Sequence, residues 1–158
     1  MSFPVNLFTV KICCCFTAFS RLSALLNGTA HHISVHRDNV MAEMFGIYSD
    51  PNIVTEQIKV SFIGEEGDDF GGLTKDLYTS LWGEILREYF QGESALVPTI
   101  PVYKFARQRR NFITIGRILA HTIALLNFMP ACLSRTTVIS LAFGPEQASD
   151  DLLLQDFR

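Results

Sequence analysis

The sequence predicts an α+β fold that is mainly helical, with one or two short strands. Three observations carry this. Two stretches repeat apolar side chains every three or four residues over several turns, the signature of helices with a buried face. A stretch ahead of them alternates apolar and polar residues with period two, as a half-buried strand does. Glycine, proline and asparagine clusters separate these stretches where turns are needed.

Taken in order, Asn27-Gly28 is a turn signal. Beyond it Val35, Val40, Met41, Met44 and Phe45 fall at spacings near three and four, so His31 to Tyr48 is expected to be helical. Ser49-Asp50-Pro51-Asn52 then reads as a turn. Ile58, Val60 and Phe62 alternate with Gln57, Lys59 and Ser61, which predicts the strand. After Gly71-Gly72, the row Leu73, Leu77, Leu81, Ile85, flanked by Tyr78, Trp82 and Tyr89, predicts a long helix that Gln91-Gly92-Glu93-Ser94 stops. Pro98 and Pro101 keep the next stretch extended. Phe112, Ile115, Leu119, Ile123 and Leu126 predict a second long helix over about 111–128, closed by Asn127 and Pro130. A third, with Ser134 as its N-cap, runs to Phe143 before Gly144-Pro145. Leu77, Leu81, Trp82 and Ile85 are expected to bury against Ile115, Leu119 and Ile123. The final run Asp150-Asp151-Leu152-Leu153-Leu154 looks like the start of a further element.

Composition narrows the function. With 48% hydrophobic and 18% charged residues among 158, a core is expected and disorder is not. That much apolar material in a short chain also predicts an exposed apolar patch and poor solubility of the isolated chain. A net charge of −3 gives no reason to expect nucleic acid. Arg107, Arg109 and Arg110 read as a wet surface. Cys13, Cys14, Cys15 and Cys132 form no disulfide framework and fit a reducing compartment, cytoplasmic or nuclear. His32 and His36 would lie four apart on a helix, but with His31 and the cysteines they match no zinc spacing, so no metal and no cofactor is expected. Met1 to Leu26 is strongly apolar, yet Lys11 interrupts it where a signal peptide would need its basic start. Lys11, Ser20 and Arg21 also break any membrane span. Residues 1–30 are therefore read as a separate apolar segment of unassigned role, a buried element or one foreign to the domain, and residues 31–158 as the domain itself.

The most distinctive stretch is Gly64-Glu65-Glu66-Gly67-Asp68-Asp69-Phe70-Gly71-Gly72-Leu73-Thr74-Lys75. It has neither the Gly-Lys-Ser/Thr of a P-loop nor Gly-x-Gly-x-x-Gly, and its four carboxylates would repel a phosphate. The ligand alternation of an EF-hand is also missing. Acids just ahead of a helix N-terminus are favoured by its dipole, by about 0.3–1 kcal/mol each, so a structural role is expected for them.

Strand, glycine- and acid-rich turn, then an aromatic helix resembles the opening of HECT-type ubiquitin ligase domains, whose motif reads close to Val-x-Phe-x-Gly-Glu-Glu-Gly-x-Asp-x-Gly-Gly-Leu. Val60, Phe62, Gly64 to Gly67, Asp69 and Gly71 to Leu73 supply it here. A second block follows in the family's order. Phe112-Ile113-Thr114-Ile115-Gly116-Arg117-Ile118-Leu119-Ala120-His121, then Pro130, is similar to its Phe-x-x-x-Gly-Arg-x-x-Gly/Ala-x-Ala helix. Gly116 would allow close helix approach. Arg117 and His121 lie four apart on one face, with Arg117 set either against the acidic turn or on a solvated stripe.

The resemblance spans about residues 31–145 and implies a partial, truncated HECT N-terminal lobe. It implies membership of a ubiquitin-protein transferase family. Ubiquitin and a ubiquitin-conjugating enzyme are the implied partners, although the regions that bind them fall beyond the matched stretch. The alternative is a HECT-derived scaffold or binding protein without catalysis. No catalytic residue is assigned. Cys13 to Cys15 lie in an apolar stretch that would keep them as inert thiols. Cys132 has Arg135 close in sequence but no evident base, and reads more readily as a small buried hydrophobe. The chain alone is expected to form no ubiquitin thioester.

Overall fold

The computed structural model describes residues 30–65, 70–93 and 95–143, together with positions 23, 24, 26, 151, 154 and 155. Within them the fold is α+β and mainly helical. Strand β1 (Ala30–Val35) is followed by a 3-10 turn (Arg37–Asn39), helix α1 (Val40–Ile47), a second 3-10 turn (Pro51–Thr55) and strand β2 (Gln57–Phe62). Helix α2 (Gly72–Tyr89) leads into the two-residue strands β3 (Phe90–Gln91) and β4 (Val97–Pro98). A third 3-10 turn (Val102–Lys104), helix α3 (Phe105–Leu126) and helix α4 (Arg135–Phe143) complete it.

Strands β1 and β2 pair in parallel, Ala30 opposite Gln57 through Val35 opposite Phe62, so the chain between them is a crossover carrying α1. That register sets Ile33 beside Val60 and Val35 beside Phe62, all four buried, while Ser34 and Ser61 bond through their hydroxyls at 2.8 Å on the exposed face. The pairing corrects the expectation of a helix from His31 to Tyr48, since only Val40–Ile47 is α-helical. Ile33 and Val35 give one period-two repeat, too short to outweigh the helical spacings that follow, and the partner strand that stabilises them is remote in sequence.

The two long helices match their stripes. Leu77, Tyr78, Leu81, Trp82 and Ile85 of α2 and Ile115, Ile118, Leu119 and Ile123 of α3 are buried in one cluster with the sheet's inner face. Full burial of each such side chain stabilises by about 1.5–3 kcal/mol. Trp82 also donates its indole N–H to Thr122 Oγ1 at 3.2 Å, so the ring's one polar group is satisfied inside the core. Helix α3 begins six residues before the expected start. Phe105-Ala106-Arg107-Gln108-Arg109-Arg110 lacks an apolar stripe but is rich in strong helix formers. It ends where Asn127 takes a left-handed φ of 51° and its N–H reaches Ile123 O.

Helix α4 is capped as its sequence indicates. The Ser134 hydroxyl accepts from the Thr137 N–H at 3.0 Å. Leu96 N–H donates to Cys132 O and Ser134 N–H to Leu96 O, which moors this cap beside β4. The described residues contain four short strands, of which β3 and β4 are two-residue pairings that carry no sequence period.

Candidate functional site

Three side-chain arrangements were candidates, and the most enclosed lies where α1, α2, α3 and the entry to β2 meet. His121, on α3, is fully buried. Its Nε2 stands 2.8 Å from the Glu56 carbonyl oxygen, which can only accept, so Nε2 carries the ring proton. Nδ1 then accepts from the Tyr48 hydroxyl at 2.6 Å, and the Tyr48 oxygen accepts from the Tyr78 hydroxyl. Every proton in this chain has one acceptor, which fixes its direction. Burial lowers the pKa of His121 below the usual histidine value and raises both phenols above theirs. Sealed from solvent, the three residues tie four elements together and offer no surface to a substrate.

Arg117, one turn earlier on α3, was expected against the acidic turn or on a wet stripe. It does neither. Its Nη1 donates to the carbonyls of Tyr48 and Ser49 at 3.0 and 2.9 Å, capping the end of α1. The last carbonyls of a helix lack intrahelical partners and carry the negative end of its dipole, which explains why a guanidinium sits there.

The acidic turn instead meets Arg37, a residue that sequence reasoning had not singled out. Arg37 follows β1 and lies beside the turn that leaves β2. Its Nε and Nη2 form a two-pronged pair with the Glu65 carboxylate, and Nη1 reaches Asp76 of α2 at 2.7 Å. Its guanidinium carbon stacks 3.9 Å above the Phe62 ring. Both carboxylates hold the guanidinium pKa well above its ordinary value. Glu65 is thereby given a structural role; Glu66, Asp68 and Asp69 lie outside the described residues.

The remaining sequence candidates are dispersed. His31 and His32 lie on β1 and His36 just after it, not on a helix. His31 pairs with Glu56 at 2.7 Å and His36 with Glu43 at 2.8 Å. The His36 backbone N–H and ring bind the Glu43 carboxylate and lower its pKa. Among the described residues no group of three or more His, Cys, Asp or Glu side chains could hold a metal ion, and no helix is long and apolar enough to cross a membrane. Cys132 is half-buried in the turn before α4. Cys13 to Cys15 lie outside the described residues. Arg109 and Arg110 are exposed at the start of α3. No protein-family model and no curated protein matches the chain.

Proposed function

We propose that residues 31–145 are the front part of a HECT-type N-terminal lobe and that this stretch acts as a scaffold in a ubiquitin ligase rather than as its catalytic centre. The observation that carries the reading is the ordered pair of blocks, Gly64 to Leu73 and Phe112 to His121, with their glycines in place. Two of those glycines meet a backbone need. Gly64 and Gly71 have φ of 87° and 92°, a region that other residues enter only with strain. Glycine at those two positions of the motif therefore has a physical reason here, which supports the match. The second block supports it too, because Arg117 and His121 both make specific buried or backbone contacts and neither is spare surface.

In this reading ubiquitin is carried on a cysteine of a later lobe, beyond the matched stretch. The test is direct. Residues 31–145 are exchanged for the matching segment of an active HECT ligase, and self-ubiquitination of the chimera is followed. Retained activity supports the assignment; a folded chimera that no longer transfers ubiquitin overturns it. The isolated chain, incubated with ubiquitin-loaded conjugating enzyme, should give no reductant-sensitive adduct. An adduct lost on Cys132→Ala would make it a carrier instead of a scaffold.

A further inference from the structure

The charges of this chain are divided along its length. Residues 31–93 contain twelve acidic and four basic side chains, whereas residues 94–145 contain six basic and no acidic ones. Of those six, Arg117 is engaged with the Tyr48 and Ser49 carbonyls, and Arg135 also has an interaction. Lys104, Arg109 and Arg110 are each exposed within the first two turns of α3, and Arg107 adds a fourth charge to the same run of sequence. None of the ion pairs among the described residues involves these exposed three.

Those cations do nothing for the helix that bears them. Positive charge at a helix N-terminus opposes its dipole, and α3 has neither an acid in its first turn nor a side-chain cap. Beside them Val102 is 92% exposed, Tyr103 84% and Phe105 57%. Side chains exposed to that degree stand off the surface with almost nothing packed round them. The Lys104 ammonium lies 5.7 Å from the Tyr103 ring, so cation and aromatic share one corner.

We propose that this corner, Val102 to Phe105 with Arg109 and Arg110, is a peripheral contact for an anionic phospholipid surface. Charge complementarity selects an acidic partner. The protruding apolar side chains favour a fluid interface that closes around them over a protein, which would need a matching pocket. Tyrosine suits the headgroup level, with an apolar ring and a polar tip, while lysine and arginine meet the lipid phosphates.

The test is co-sedimentation of the full chain with vesicles of 30 mol% phosphatidylserine in phosphatidylcholine, against pure phosphatidylcholine, at two salt concentrations (the composition is set at roughly that of an anionic leaflet). Binding is expected only to the anionic vesicles and should weaken with salt. Arg109→Gln with Arg110→Gln should weaken it on the order of thirty-fold, at about fivefold per charge. Val102→Ser with Tyr103→Ser should also weaken it without altering the circular dichroism spectrum. A Tyr103→Trp probe should shift to the blue on anionic vesicles, above a steady background from the buried Trp82. Equal binding to neutral vesicles, no binding at all, or binding to poly-glutamate but not to vesicles would each overturn the proposal, the last by making the partner an acidic protein.

Discussion

The stretch from β1 to the start of α2 and the stretch from β4 onward solve the problem of charge in opposite ways. In the first, acids outnumber bases, yet every ion pair among the described residues lies there, all between His31 and Asp76. Histidine and arginine side chains at the ends of β1 and in the turn after it are matched to carboxylates brought close by the crossover. In the second, Arg117 and Arg135 are engaged, and Lys104, Arg109 and Arg110 stand in water. One region pairs several of its charges internally. The other leaves them open, and an open charge cluster is where an outside partner can act. What joins the regions is buried and uncharged: the apolar α2–α3 core and the hydrogen-bonded Tyr48–Tyr78–His121 chain.

Removing the join should have the largest effect. Leu81→Ala empties a fully buried position between α2 and α3 and should cost about 2–5 kcal/mol, read as a lower urea midpoint for the whole domain. If instead the two stretches melt separately, by tryptophan fluorescence and by far-ultraviolet dichroism, the core does not couple them.

Replacing His121 should come next. His121→Leu leaves the Tyr48 hydroxyl without its acceptor and the Glu56 carbonyl without its donor, at about 1–3 kcal/mol for each orphaned group, of which the buried Leu side chain returns about 1.5–3 kcal/mol. The wild-type chain should also lose stability in acid. Because folding lowers the His121 pKa, the unfolded chain takes up the proton first. The contribution is therefore complete above the unfolded value of about 6.5 and is lost as pH falls from there toward the folded value. Glu43, also lowered on folding, adds a second loss below its own unfolded value of about 4.5. Urea midpoints at pH 7.5 and 5.5 should differ for the wild type and converge for His121→Leu. An unchanged wild-type midpoint would mean that the ring protonates in place.

A smaller gain tests the open region. Ala106→Glu puts an acid in the bare first turn of α3 among exposed cations and should stabilise by about 0.3–1 kcal/mol, less at high salt. The smallest effect is expected for Arg37→Ala, since all three partners of that clamp are largely solvent-exposed. Its midpoint should fall slightly at low salt and match the wild type at high salt. A loss that persists in salt would point to packing on Phe62 rather than charge.

The parts legible in sequence are those whose signal is local and repeated. β2, α2, the apolar half of α3 and the Ser134 cap each announce themselves within a few residues. The core pairing of Leu77, Leu81, Trp82 and Ile85 with Ile115, Leu119 and Ile123 followed from matching two dense stripes. β1 was hidden because one alternation is a weak signal, and the first turns of α3 because they bury little. The polar contacts were illegible for another reason. Arg37 finds Glu65 28 residues away, Arg117 finds Tyr48 69 residues away and His121 finds Tyr48 73 residues away, so no window of sequence contains both partners. For Arg117 the sequence left an acidic partner and a solvated stripe equally open, and a helix end held it instead.

The direction of the Tyr78–Tyr48–His121–Glu56 proton chain also sets an order of events during synthesis. Three of its members, Tyr48, Glu56 and Tyr78, emerge early, and the two hydroxyls are driven inward with the apolar residues around them. The His121 ring that links the hydroxyls to the Glu56 carbonyl arrives only with α3, more than forty residues after Tyr78. At about 5–20 residues per second, the ribosome holds the nascent chain for seconds with that ring still to come. The first hundred residues are therefore a half-solved packing problem, and the domain should lock only once the last long helix is clear of the exit tunnel.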